Sequence, residues 1–507
     1  MRISRAAWGA GAIFLLAILA RALPGPRTID DAFITFRYAR HWVEGAGLVY
    51  NPGEAVLGTT TPLYTLLMAA LARLAGGKSA DLPALAWAVN AIADGVTCVL
   101  LLGLARRLGA AFAGVATAIV WAVAPMAVTF SIGGMETSVF IALMTATFYL
   151  HSMDRPVGAA LAASLSVLTR PDALLFVLPL AAERARRAGI LGPVNGGKRI
   201  GWAEAAALLS PLLLWTAYAI PAFGSPIPHS ITAKVAAYHL PPEAGLVRLI
   251  QHYATPFFEQ LTLGTGPAAL LGLWGLHSAL FGLGALAAIR HRPSSWAIFL
   301  YPWLYLAIFA TANPLIFRWY LAPPLPVYFL GIFAGVQRVS RDLRFRPLPY
   351  LFAAAAVGSS LRAWTAHPDH GPDRPAPAMA FIQLELLHRD VAEWLRPRMR
   401  PGEILAAGDI GALGYYSDAR ILDTIGLISP ASIPYYPLPP DLYVINYAIP
   451  PDLIRDLQPD YLVLLEVYGR NGLLVQDWFA QEYHLLRIVP TDLYESDGLL
   501  IYQRTSP

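Results

Sequence analysis

The chain has 507 residues, 56% of them hydrophobic and only 14% charged, with a mean hydropathy of +0.50. A soluble protein of this length carries about a quarter charged residues, and here the apolar excess falls in long blocks, so the composition excludes an ordinary soluble enzyme and indicates a polytopic membrane protein. The lone cysteine, Cys98, excludes an internal disulfide and any cysteine-based metal site. The net charge of +4 hides an asymmetry: residues 364–507 hold 19 of the 33 acids but 10 of the 37 Lys+Arg, a balance of −9. Most of the basic excess lies in short loops between apolar blocks, which marks topology rather than a nucleic-acid surface.

The first apolar block, about 7–24, resembles a signal peptide in length, but the spans that follow favour an uncleaved first helix. Further spans are expected near 83–104, 111–129, 135–152, 157–169, 172–183, 201–222, 266–289, 296–311, 320–337 and 348–363, about eleven in all. With the N-terminus cytoplasmic, the dense basic clusters fall inside: Arg106–Arg107, Arg155, Arg184/Arg186/Arg187 with Lys198–Arg199, Arg290/Arg292, and Arg338/Arg341/Arg344/Arg346. Segments 157–169 and 172–183 are too short to cross upright and suggest a hairpin around Pro171. The run 61–76, TPLYTLLMAALARLAG, reverses every later loop if counted as a span and is read as a helix at the outer interface.

From residue 364 a Pro/His linker, HPDHGPDRPAP, leads into short apolar runs (EILAAGD, DYLVLLEVY, GLLIYQR) and one helical pattern, AMAFIQLELLHRDVAEWL. The expected organisation is therefore a mainly α membrane helix bundle over 1–363, with an outer loop at 25–82, and a small extracytoplasmic α/β domain over 364–507. The expected location is the cytoplasmic (inner) membrane.

Charges at the outer face are the place to look for chemistry, because a low-dielectric setting magnifies them. The loop after the first span reads TIDDAFITFRYARHWVEGAG, with Asp30 and Asp31 ahead of a helix that places Ile34, Tyr38 and Trp42 at helical spacing. Asp30 can cap that helix. One carboxylate can also act as a general base, since adjacent acids repel and one keeps a raised pKa. The two readings are compatible.

This loop, together with GGMETSVF (133–140), LTRPDALLF (168–176), FGSPIPHSITAK (223–234), FRWYLAPP (317–324) and AAGDIGALGYYSDARILDTIGL (406–427), resembles the GT-C superfamily of polyprenyl-phosphate-sugar-dependent glycosyltransferases. The likeness is to the bacterial branch that includes the mycobacterial terminal arabinofuranosyltransferases, and it covers most of the chain in the same order. It implies an inverting transfer at the outer face, from a sugar on a polyprenyl phosphate to a hydroxyl of a glycan, lipid or protein acceptor. Asp30 and Asp31 match the family's acidic motif, and the order of the acids there points to Asp30 as base. Lys234 and Arg318 are the candidates for the donor phosphate, with a snorkelling lysine and an aromatic-belt arginine as the structural alternatives.

Sugar or acceptor contacts are expected among Arg37, Glu136, Arg170, Asp172, His229 and Tyr320, although the family often carries Asn where this chain has His229. Arg170 and Asp172 flank Pro171 and are expected to pair with each other, and Glu136 after Gly133–Gly134 is expected to cap the next helix or to hold a sugar hydroxyl. Asp409 and Asp423 bracket GDIGALGYYSDAR, which suits carbohydrate binding or an ordinary turn and is no dinucleotide fingerprint. Two carboxylates are compatible with a divalent cation, and no His/Cys cluster indicates zinc. The alternatives are a transporter or flippase of lipid-linked glycans, for which Asp94 is the clear mid-span acid, and a non-catalytic relative with a glycan-binding tail.

Overall fold

The structure is a computed structural model describing residues 5–191, 199–241, 243–257, 266–312, 316–366 and 380–505. The expected linker HPDHGPDRPAP, Lys198 of the inside loop and residues 313–315 of NPLIFRWY lie outside the described residues. The chain divides into two compact units. The first comprises Met1–Arg27, Ala86–Leu214 and Pro242–Arg374; the second comprises Thr28–Leu85, Trp215–Pro241 and Pro375–Pro507. The unit that holds the C-terminal sheet thus also takes in the first long loop and residues 215–241.

Each of the eleven segments expected from hydropathy falls on a helix. Among the described residues five helices are long and apolar enough to cross a membrane, or six if Ala111–Val123 and Pro125–Ile132 form one span bent by 50°. The bend falls at Pro125, which cannot continue the hydrogen-bond ladder. Other expected spans are shorter: Pro156–Thr169 has 14 residues, about 21 Å of helix against a hydrocarbon core of about 30 Å.

In the first unit, small residues let helices meet backbone to backbone. Pro267–His291 packs on Leu325–Asp342, where a side chain at Gly284 would collide with the Gly331 carbonyl and one at Gly335 with the Leu280 carbonyl. The mid-span acid Asp94 is fully buried and satisfied. Arg21 donates to it at 3.0 Å, Trp121 at 3.2 Å and Ser138 at 3.0 Å, while Arg21 also donates to the carbonyl of Ala122. Loops expected on the cytoplasmic side come together at Asp154, which bridges Arg187 at 2.8 Å and Arg292 at 2.6 Å. Loops expected outside meet at Arg170, described below.

The second unit is built on a five-stranded mixed sheet of β1 (Ile404–Ala407), β2 (Arg420–Asp423), β3 (Tyr461–Leu465), β4 (Tyr483–Val489) and β5 (Leu499–Arg504), in the order β2-β1-β3-β5-β4. β1 pairs in parallel with β2 and β3, whereas β5 is antiparallel to β3 and β4, with a bulge between Leu485 and Arg487. The three apolar runs read from the sequence are β1, β3 and β5. Helix Ala32–Glu44 inserts into this unit, burying Phe33, Phe36, Tyr38 and Ala39. Helix Pro62–Leu74, the expected interfacial segment, packs beside it with Tyr64, Thr65, Met68 and Ala69 buried.

Breaking a buried ion pair strands the partner charge at a cost of about 3–5 kcal/mol. Asp94→Ala is therefore expected to lower the unfolding free energy of the detergent-solubilised protein by that order, with a lower thermal midpoint. A change under about 1 kcal/mol would contradict the structural role given to the pair.

Candidate active site

Asp30 does not cap the helix that follows it. The first N–H groups of Ala32–Glu44 find backbone carbonyls instead, Ala32 on Ile29 and Phe33 on Asp30, both at 3.0 Å, which leaves the carboxylate to turn elsewhere. It accepts from the N–H of Gly411 (3.1 Å) and of Ala412 (2.9 Å) at the start of helix Gly411–Ser417. Only glycine fits at 411, because a side chain there would collide with Asp30. The Nδ1 of His388, from helix Ala380–Leu395, lies 3.5 Å from the same carboxylate. Asp30 is 3% exposed, whereas Asp31 is half-buried.

The rest of the loop is sewn onto the sheet. Arg37 is fully buried and donates to the carbonyls of Tyr50 (2.9 Å), Gly414 and Ala419 (2.6 Å). Its guanidinium, expected from the sequence among the sugar or acceptor contacts, is enclosed by backbone and positions the loop. Arg40 pairs with Asp418 at 3.0 Å and lies over the Tyr415 ring. Asn51 imitates a strand neighbour of β2, donating to the Ile421 carbonyl (2.8 Å) and accepting from its N–H (3.1 Å). Tyr415 and Tyr416 pack on Phe33, so the tyrosines of GDIGALGYYSDAR belong to the turn. Asp423 is likewise structural: fully buried, it accepts from Ile425 and Ile428.

The electrostatics of the cluster follow from burial. Burial pushes Asp409 up to about 6, with Asp30 adding to the effect and His388 opposing it. Burial alone would lower His388, but the adjacent Asp30, then Asp409 and Glu385, outweigh it and raise the imidazole above its ordinary value. Lys234 and His229 sit on helix His229–Ala237 of this unit, both half-buried; burial lowers His229.

In the first unit Arg170 forks onto Asp172 (2.9 and 3.0 Å) and reaches Glu136 at 3.1 Å. Its guanidinium lies 5.0 Å from the Tyr320 ring centre and 5.3 Å from that of Phe140. The expected Arg170–Asp172 pair is present. Glu136 caps nothing, because its carboxylate is drawn to Arg170. Arg318 lines a cavity with Arg248, Gln251, His252, Thr255 and Phe257. Arg248 escaped sequence reading, although its signal was there: on helix Ala244–Ala254, Arg248, Gln251 and His252 share one face at i, i+3 and i+4. Among the described residues no group of three or more His, Cys, Asp or Glu is placed to hold a metal ion.

A family model described as Domain of unknown function (DUF8728) matches residues 378–502. No curated protein matches the sequence. Among solved structures, the Archaeoglobus fulgidus oligosaccharyltransferase in complex with Zn and sulfate aligns over 98% of this chain and 73% of its own, with 15% identity and a TM-score of 0.58. The same organism's AglB in complex with an inhibitory peptide and a dolichol-phosphate aligns over 94% and 72%, with 13% identity and a TM-score of 0.57. ArnT from Cupriavidus metallidurans, bound to undecaprenyl phosphate, aligns over 98% of both chains, with 13% identity and a TM-score of 0.57.

A carboxyl whose folded pKa lies near 6 against an ordinary 3.8 holds its proton more tightly when folded, so stability falls as pH rises from about 4 to 6. Asp409→Asn is expected to raise the thermal midpoint at pH 8 and leave it unchanged at pH 4. Equal shifts at both pH values would contradict the assignment. The fold of this chain is that of the GT-C glycosyltransferases.

Proposed function

We propose that the protein is an inverting glycosyltransferase that moves a sugar from a polyprenyl phosphate to an acceptor hydroxyl at the outer face of the cytoplasmic membrane. The reading is supported by the fold and by the structures it resembles, two of which were solved with a polyprenyl or dolichol phosphate bound. The meeting of the basic loops at Asp154, and of the other set at Arg170, agrees with the proposed orientation.

The observation that carries the assignment of roles is the state of the paired acids. Both oxygens of Asp30 are engaged by backbone N–H groups and the residue is buried. Asp31, half-buried beside it, is therefore the base, a change from the assignment to Asp30 that the order of the acids suggested. Asp31 takes the proton of the acceptor hydroxyl as its oxygen attacks the anomeric carbon and the bond to phosphate oxygen breaks. The leaving polyprenyl phosphate needs positive charge at its oxygens. Arg318 and Arg248, which line one cavity of the first unit, are assigned to it, and Lys234 of the second unit remains a candidate. Glu136, Arg170, Asp172 and Tyr320 form one connected group and are proposed to hold the donor sugar. Asp94, on which a transporter reading would lean, is occupied by Arg21, Trp121 and Ser138.

Asp31→Asn is expected to lower transfer from a polyprenyl-phosphate sugar by about 10²–10⁴-fold without lowering the thermal midpoint. Asp30→Asn is expected to lower the midpoint first. Arg318→Met is expected to raise the donor KM about tenfold or more. Full transfer by Asp31→Asn in purified protein would overturn the assignment.

A further inference from the structure

Four tyrosines that neither the sequence reading nor the proposed chemistry uses form a row in the second unit. Ring centres are 6.5 Å apart for Tyr238 and Tyr447, 4.7 Å for Tyr447 and Tyr468, and 6.5 Å for Tyr468 and Tyr494. Tyr447 anchors the row: it is buried, its hydroxyl lies 2.6 Å from that of Thr424, and a side chain at Gly408 would collide with it. Asp409 follows Gly408 directly. Burial raises the phenol pKa of Tyr238 and of Tyr494, and the charges of Asp31 and Asp409 add to the rise.

A core tyrosine buries its ring and finds a partner for its hydroxyl. Tyr436 of the same unit does so, donating to the carbonyls of Thr424 and Ala448 at 3.0 Å. Tyr238, Tyr468 and Tyr494 differ, for each is only half-buried. Among the described residues, the hydroxyls of Tyr468 and Tyr494 and the half-buried carboxylate of Asp409 have no hydrogen-bond partner. Tyr494 is also held at φ +56°, a left-handed conformation that is uncommon for a residue with a side chain. Ring faces, phenol tips and a carboxylate with open acceptor positions are together what a sugar ring requires: C–H faces lie on aromatic carbon, and hydroxyls donate to the acid.

We propose that the Tyr238–Tyr447–Tyr468–Tyr494 row, with Asp409, is a carbohydrate subsite that holds a sugar ring of the acceptor, and so that the acceptor is a glycan or glycolipid. That it is an acceptor subsite rests on the transferase reading above. That it binds carbohydrate does not. The test uses the full chain in detergent on an array of immobilised arabino-, galacto-, manno- and gluco-oligosaccharides. The wild type is expected to bind at least one class, Tyr468→Ala and Asp409→Asn to weaken that binding about tenfold or more, and Tyr468→Phe to retain most of it. In turnover with a polyprenyl-phosphate sugar, Tyr468→Ala is expected to raise the acceptor KM by a similar factor and leave the donor KM unchanged. Absence of wild-type binding to every class, or binding by both Tyr468→Ala and Asp409→Asn equal to that of the wild type, would overturn the subsite. Tyrosine-dependent binding without any sugar transfer would keep the subsite and remove the transferase reading. Transfer that is indifferent to Tyr468→Ala and Asp409→Asn would do the reverse.

Discussion

The second unit depends on one interaction, the grip of the Asp30 carboxylate on the N–H groups of Gly411 and Ala412. The residues joined are 381 and 382 positions apart, so the loop after the first helix is folded as part of the C-terminal sheet unit. Several features of the sequence have their reason here. Gly411 must lack a side chain for the approach to Asp30, and Gly414 for the approach to Tyr50 and Arg37. Arg37 is buried because three carbonyls surround it. His388 is raised because Asp30 stands beside it. A buried carboxylate is tolerated only when its charge is answered, and here two backbone donors and an imidazole answer it. On the proposed reading the neighbours divide the work: Asp30 fixes the geometry, and Asp31 is the base.

The first unit follows a different economy of charge. Its deepest pair, Arg21 and Asp94, is closed by Trp121 and Ser138 and serves packing. Two further networks are drawn from loops distant in sequence, one at Asp154 and one at Arg170. The helices Pro267–His291 and Leu325–Asp342 approach through glycine, at Gly284 and Gly335. Arg248 and Arg318 line one cavity of this unit, together with Gln251, His252 and Thr255.

How much of this was legible in the sequence follows from the range of the signal. Hydropathy and periodicity are local, and they locate the long apolar helices and the runs that become β1, β3 and β5, while the Asp30–Asp31 motif is carried by the family resemblance. The Arg170–Asp172 pair was also legible, because its partners are two residues apart. Capping of its own helix is one of the two roles the sequence offers for Asp30; its actual partners lie at 411 and 412, and nothing local announces a contact of that length. The burial of Arg37 is hidden from the sequence for the same reason: the carbonyls that bury it come from residues 50, 414 and 419. The tyrosine row draws its members from residues 238, 447, 468 and 494, so only the folded unit brings them together.

On the proposed reading Asp31 carries out a sugar transfer for which Asp30 supplies the frame. The most direct measurement compares, by mass, the lipid-linked glycans of cells carrying the wild-type chain, the Asp31→Asn chain and no chain. The account predicts that the Asp31→Asn cells, with the variant present in the membrane at wild-type amounts, lack the same sugar as cells without the protein. Glycans of unchanged mass in the Asp31→Asn cells, alongside a defined missing sugar in cells without the protein, would contradict it.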